Sequence, residues 1–127
     1  MAFRLLFDTD ILIQYFREDP KAVEFLEQSD AEFLISTITV AELFTGARTE
    51  KEATTIDQFC FGFDIIPVSE HIARQGGLLR QQYQPSHGTG LADAIIAATA
   101  LQSKASLVTF NTKHYPMLDD LIVPYSR

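Results

Sequence analysis

Phe3-Arg4-Leu5-Leu6-Phe7-Asp8-Thr9-Asp10-Ile11-Leu12 decides the fold. Phe3 to Phe7 is too short an apolar run for a helix and reads as a buried strand. Asp8-Thr9-Asp10 then opens a helix, since short acidic and hydroxyl side chains suit helix starts. Ile11, Leu12, Tyr15 and Phe16 fall on one face of that helix. A strand that runs directly into a helix begins an α/β alternation, and the chain repeats it. Phe33–Ser36 reads as a second strand and Thr37 to Gly46 as a helix that ends on its glycine. Asp64–Val68 reads as a third strand, and its proline suits a sheet edge. Ser106–Thr109 and Leu121–Pro124 read as a fourth and a fifth.

Four further helices complete the pattern. Asp19-Pro20 starts one, with Pro20 suited to the first turn and Val23, Phe25 and Leu26 as its apolar positions. Thr49 to about Phe61 is amphipathic through Ala53, Ile56, Phe59 and Cys60. Ser69 caps a helix to Tyr83, which Gly76-Gly77 weakens by roughly 1 kcal/mol per glycine relative to alanine. Pro85-Ser86-His87-Gly88-Thr89-Gly90 reads as a loop. Leu91–Ser103 is apolar all round, as expected of a buried helix. Alternating strands and helices imply a parallel sheet with right-handed crossovers and helices on both faces, with four to five strands in one domain over residues 1–127.

Bulk properties narrow the function. The chain has 127 residues, 46% of them hydrophobic, with ten Phe and no Trp, so it can bury a core. No apolar run approaches the roughly 18 residues of a membrane span. The start lacks the basic and apolar regions of a signal peptide, so the expected compartment is the cytoplasm, without membrane association. Cys60 is the single cysteine and reads as a core or interface thiol. The net charge of −7 argues against tight non-specific nucleic-acid binding, and no direct DNA binding is expected. Residues 1–70 carry −9 and residues 71–127 carry +2 together with all three histidines.

The candidate site consists of acids and an amide at element ends. Asp8 closes the first strand, Glu42 follows the second, Asp93 opens the Ala-rich helix and Asn111 follows the fourth strand. Functional groups of open parallel sheets collect beyond the carboxyl ends of the strands. Asp8 and Asp10 could each serve as an N-cap, and Thr39-x-x-Glu42 fits a capping box. Asp93, set between Leu91-Ala92 and Ala94-Ile95-Ile96, could be stabilised by its helix N-terminus alone. Together, though, they form a set of hard oxygen ligands that suits Mg²⁺ or Mn²⁺ rather than Zn²⁺.

The segments Leu6-Phe7-Asp8-Thr9-Asp10-Ile11-Leu12, Ser36-Thr37-Ile38-Thr39-Val40-Ala41-Glu42-Leu43, Leu91-Ala92-Asp93-Ala94-Ile95-Ile96-Ala97-Ala98-Thr99-Ala100-Leu101 and Val108-Thr109-Phe110-Asn111-Thr112-Lys113-His114-Tyr115 resemble, in order, the four motifs of PIN-domain ribonucleases. The nearest group is the VapC-type toxins of toxin–antitoxin pairs. The resemblance implies a PIN-like three-layer α/β/α fold and a Mg²⁺- or Mn²⁺-dependent endoribonuclease. Asp8, Glu42 and Asp93 would be its acidic, metal-holding centre, and the Thr109 hydroxyl would orient water or an acidic neighbour. Many members carry a fourth acid in the last motif. This chain has Asn111 there, and His114 stands where an aspartate often precedes the aromatic. One ion on Asp8 and Asp93, with Glu42 directly or through water, is therefore expected, and Asn111 offers its carbonyl to water on that ion. The resemblance further implies a water attack that leaves a 3′-hydroxyl and a 5′-phosphate, an RNA substrate with transfer RNA as a candidate class, a VapB-type antitoxin and a homodimer.

Other residues weigh less. His87 reads as a solvated loop residue and His114 as structural or surface. Arg74, Arg80, Lys104 and Lys113 are scattered cations. Tyr15, Phe16, Phe44, Phe59 and Phe61 are read mostly as core, with some lining a groove for a partner helix. Two competing functions stand beside the nuclease. One is a catalytically weak PIN-like scaffold that binds RNA or protein. The other is a haloacid-dehalogenase-type phosphatase, suggested by Asp8-Thr9-Asp10 but poorly matched at Leu12 and by an Asp119-Asp120 pair close to the C-terminus.

Overall fold

A computed structural model describes residues 3–126; Met1, Ala2 and Arg127, and with them the start of the chain read above for a signal peptide, lie outside the described residues. The sheet is parallel throughout, in the order β3-β2-β1-β4-β5, with β1 at Phe3–Phe7, β2 at Ala31–Ser36, β3 at Asp64–Ile66, β4 at Ser106–Val108 and β5 at Leu121–Ile122. The helices are α1 (Thr9–Phe16), α2 (Pro20–Gln28), α3 (Thr37–Thr45), α4 (Glu50–Cys60), α5 (Glu70–His87) and α6 (Leu91–Ser103). None of the described helices is long and apolar enough to cross a membrane.

Local chemistry starts most of these helices. Asp8, Asp19, Ser36, Thr49 and Ser69 each accept a hydrogen bond from a backbone N–H of the helix they precede, which satisfies a donor that has no partner within the helix. The strands divide the core between two faces. Leu5 and Phe7 of β1 point to one face and Leu6 to the other, as the two-residue period of a strand requires. The first face packs on Ile11 and Leu12 of α1, Ala22 and Leu26 of α2, Leu43 of α3, and Ile56 and Cys60 of α4. The second packs on Ile96, Ala97 and Ala100 of α6, and on Tyr115 and Leu118. Helices on both faces make the expected three-layer α/β/α arrangement. Leu6, Phe7, Leu107 and Val108 have no exposed surface, and each such side chain contributes about 1.5–3 kcal/mol of burial.

The structure corrects three local expectations. Pro85 to His87 are not loop: α5 continues through them and ends at Gly88, whose φ of +69° supplies the left-handed stop. Pro85 lies in an exposed last turn, where water can hydrate the carbonyl that loses its donor. Phe61 is neither core nor groove, being 87% exposed. Phe63, a residue beyond the helix, fills the position against Phe7 and Phe33 instead, at ring separations of 5.7 and 5.6 Å. In α6 the burial is not complete, since Leu91 and Leu101 at its ends are exposed. Gly76 has a role that its helix propensity conceals: a Cβ there would lie 3.0 Å from Ile95 Cγ1 and 3.1 Å from Ile95 Cα. Its lack of a side chain lets α5 lie close against α6.

Topology positions the site. The chain moves outward from β1 to β2 and β3, then returns to β4 on the other side of β1. The crevice between the carboxyl ends of β1 and β4 is therefore the switch point, where open α/β sheets bind ligands. Asp8 stands at the end of β1, with its N–H bonded to the Val108 carbonyl at 2.9 Å. Thr109 stands directly beyond β4.

Candidate active site

Two of the predicted acids meet on one oxygen. Tyr115 is fully buried, and its hydroxyl lies 2.8 Å from Asp8 Oδ2 and 3.2 Å from Asp93 Oδ1. Asp8 arrives from the end of β1 and Asp93 from the first turn of α6. The opposite oxygen of each is tied to backbone: Thr9 N–H donates to Asp8 Oδ1 at 2.8 Å, and Gly90 N–H donates to Asp93 Oδ2 at 3.2 Å. The latter contact closes a capping-box-like turn at the head of α6. His114 Nδ1 is 3.3 Å from Asp93 Oδ2, so the histidine of the last motif sits beside a predicted ligand.

Thr109 has no exposed surface and donates its hydroxyl to Asp8 Oδ2 at 2.8 Å. The Thr109 hydroxyl oxygen in turn accepts the Asn111 N–H at 3.0 Å. Asn111 turns its side-chain amide toward Asp10 Oδ2 at 3.4 Å, rather than toward Asp8 or Asp93. Asp10 also accepts from Phe110 N–H at 2.9 Å and Ile11 N–H at 2.7 Å. It therefore pins the segment after β4 to the start of α1. Glu42 is exposed on α3 and is reached through Thr9, whose hydroxyl donates to Glu42 Oε1 at 2.6 Å. Thr9 is itself next to Thr39, at 3.3 Å between hydroxyl oxygens.

The electrostatics follow from burial. Asp8 is 5% exposed, and its carboxyl is pushed up from 3.8 to about 7. Loss of solvent is the main cause and the charge of Asp10 adds to it, while the hydrogen bonds from Tyr115, Thr109 and Thr9 act in the opposite direction. Burial, followed by the charges of Asp8 and Asp93, drives the Tyr115 hydroxyl far upward, so it stays a neutral donor.

Among the described residues, no three His, Cys, Asp or Glu side chains stand close enough together to hold a metal ion between them. Asp8 and Asp93 fit such an ion on other grounds. Their donors are hard oxygens, and ionising the buried Asp8 beside Asp10 is unfavourable until a cation neutralises it. Glu42 joins only through Thr9. Asp10, Thr9 and Tyr115 belong to the network although Asp10 reads from sequence as a cap and Tyr115 as a motif aromatic. The available signals were an acid two residues after Asp8 and a phenol where a plain ring would pack.

The PIN domain model matches residues 5–117. The chain is 37% identical over 124 residues to Ribonuclease VapC19 of Mycobacterium tuberculosis, covering 94% of this chain and 98% of the relative. It is 35% identical over 125 residues to Ribonuclease VapC10 of the same species, covering 96% and 93%. A solved toxin–antitoxin complex from Klebsiella pneumoniae contains a chain that superposes with a TM-score of 0.84 at 34% identity, over 97% of this chain and 99% of that one. With the four motifs standing on one parallel sheet and two of their acids on one hydroxyl, this chain belongs to the PIN-domain family and, within it, to the VapC group.

Proposed function

We propose that the chain is the toxin of a toxin–antitoxin pair, a metal-dependent endoribonuclease that hydrolyses RNA phosphodiesters in the cytoplasm. The observation that carries this is the meeting of Asp8 and Asp93 on the buried Tyr115 hydroxyl at the switch point of the sheet. Asp8 and Asp93 hold Mg²⁺ or Mn²⁺, with Glu42 contributing through the Thr9 hydroxyl or through water. The chemistry such an ion supplies is a lowered pKa for water and neutralisation of charge on the scissile phosphate. Thr109 orients Asp8, and Asn111 ties the segment after β4 to Asp10.

The substrate must approach an acidic protein. Arg17, Arg48 and Lys51 line, with Glu42, a groove of about 470 Å³. Among the described residues, none of the three has a carboxylate within ion-pair distance, so they are available to RNA phosphates. Ile13, Phe16, Leu43 and Ile56 give the same groove an apolar floor, which suits the apolar face of a helix from a VapB-type antitoxin. RNA and antitoxin would then compete for it. The resemblance adds a homodimer.

The test uses protein purified free of antitoxin and offered structured RNAs, transfer RNA included, with Mg²⁺, Mn²⁺ or EDTA. Cleavage should require the metal and disappear in Asp8→Asn and Asp93→Asn. Metal-dependent cleavage that persists in either variant would overturn the assignment. Failure to cut any RNA, with harmless expression in cells, would favour a binding scaffold.

A further inference from the structure

We propose that Tyr115 is a positioning residue for the divalent ion: its hydroxyl holds the carboxylates of Asp8 and Asp93 together before the ion arrives, and it keeps their oxygens oriented for binding. This role rests on the metal-dependent activity proposed above.

The placement of the hydroxyl is over-determined. The ring is fully buried among Leu6, Leu34, Ile96, Ala97 and Leu107. The backbone on either side is tied by Tyr115 N–H to the Thr112 carbonyl at 3.0 Å and by Leu118 N–H to the Tyr115 carbonyl at 3.1 Å. A phenylalanine would fill the same apolar volume. A hydroxyl buried there is unfavourable unless it is hydrogen-bonded, and its two partners are the two acids. Among the described residues it is the one hydroxyl bonded to both. Thr109 reaches Asp8 at 2.8 Å and does not reach Asp93.

The acids need such a contact. Each has one oxygen committed to a backbone amide, so the oxygens that remain, Asp8 Oδ2 and Asp93 Oδ1, are the ones facing Tyr115. Without a cation, two carboxylates brought to one point repel each other, and both side chains have rotamers that would separate them. The single phenolic proton, shared between Asp8 Oδ2 at 2.8 Å and Asp93 Oδ1 at 3.2 Å, holds the pair at small energetic cost and lowers the reorganisation needed when the ion binds. Groups of this kind behind metal ligands orient them, and their loss weakens metal affinity by about 10- to 100-fold.

The experiment compares the wild-type protein with Tyr115→Phe, which removes one oxygen and leaves the ring. Calorimetric titration of the metal-free proteins with Mn²⁺ should show an affinity about 10- to 100-fold weaker in the variant. Circular dichroism should show both folded, and KM for RNA at saturating Mn²⁺ should be unchanged. A second readout uses the composition of the chain, which has four Tyr and no Trp. Colourless Mg²⁺ should perturb the tyrosine absorption band of the wild-type protein and leave that of Tyr115→Phe unaltered. A folded variant that binds Mn²⁺ as tightly as wild type, or more tightly, overturns the positioning role and leaves the metal-dependent activity standing. If the variant does not fold, the wild-type spectrum decides, and absence of a tyrosine change at saturating Mg²⁺ overturns the role. A wild-type protein that binds neither ion overturns both the activity and the role.

Discussion

Replacing Asp8 with asparagine should make the metal-free protein more stable at pH 8, while abolishing its activity. The Asp8 carboxyl titrates at about 7 in the fold, against 3.8 unperturbed. Between those pH values the native state keeps a proton that the unfolded chain has released, so stability falls as pH rises. The stabilising effect of that proton is complete below 3.8 and is lost as pH rises through 7. At 1.36 kcal/mol for each tenfold difference in proton affinity, ionised Asp8 costs the fold about 4 kcal/mol. Asparagine removes that cost. Its carbonyl can accept from Tyr115 and Thr109 in place of Oδ2, but its NH₂ then faces the Thr9 N–H that Oδ1 had accepted, a loss of about 1–3 kcal/mol. The net gain at pH 8 is about 1–3 kcal/mol, and each kcal/mol raises the melting temperature by about 4 °C in a chain of this size. At pH 5 native Asp8 is protonated, and the difference between variant and wild type should shrink by about 2 kcal/mol or more. Thermal and urea melts in EDTA at pH 5 and pH 8 measure this directly. An equal difference at the two pH values, or a variant less stable than wild type at pH 8, would refute the claim that the buried charge strains the metal-free fold. Adding Mg²⁺ should stabilise the wild type and not the variant.

Other outcomes follow from particular contacts. Thr109→Val removes a donor to Asp8 and the acceptor of Asn111 N–H; unfolding in urea should show a loss of about 1–3 kcal/mol, and RNA cleavage should slow about tenfold or more. Neutralising Arg17, Arg48 and Lys51 together should raise KM for RNA and flatten the salt dependence of binding. The slope should fall by about 2 for three lost contacts to a single strand, with Mn²⁺ affinity retained. Gly76→Ala and Gly77→Ala should move stability in opposite directions. Ile95 backbone blocks a Cβ at the first, whereas nothing lies within 4 Å at the second. Urea midpoints should show Gly76→Ala destabilised by about 1–3 kcal/mol and Gly77→Ala stabilised by about 0.5–1 kcal/mol.

Where elements begin was largely legible, because the signals are local. Asp19-Pro20, Ser36, Thr49 and Ser69 each act on backbone groups within three residues, and the strands are short apolar runs. Ends were harder to read. Pro85 signals a break, but an exposed last turn tolerates it and Gly88 supplies the stop. The packing partner of Gly76 lies on another helix, so only its poor propensity was visible along the chain.

The sequence by itself determined the alternation of strand and helix, the four motifs and the acids that stand at element ends, since each depends on neighbours a few positions away. Only the tertiary structure decided which of those acids share an oxygen. Asp8, Asp93 and Tyr115 are separated by 107 positions at their widest and meet because β4 returns beside β1. The same return set Thr109 against Asp8 and tied Asp10 to the loop after β4, while the pairing of β1 with β2 left Glu42 one hydroxyl away on Thr9. Spacing along a chain carries no record of which strand ends are adjacent; burial of both faces of β1 decides that, and with it the chemistry at its end.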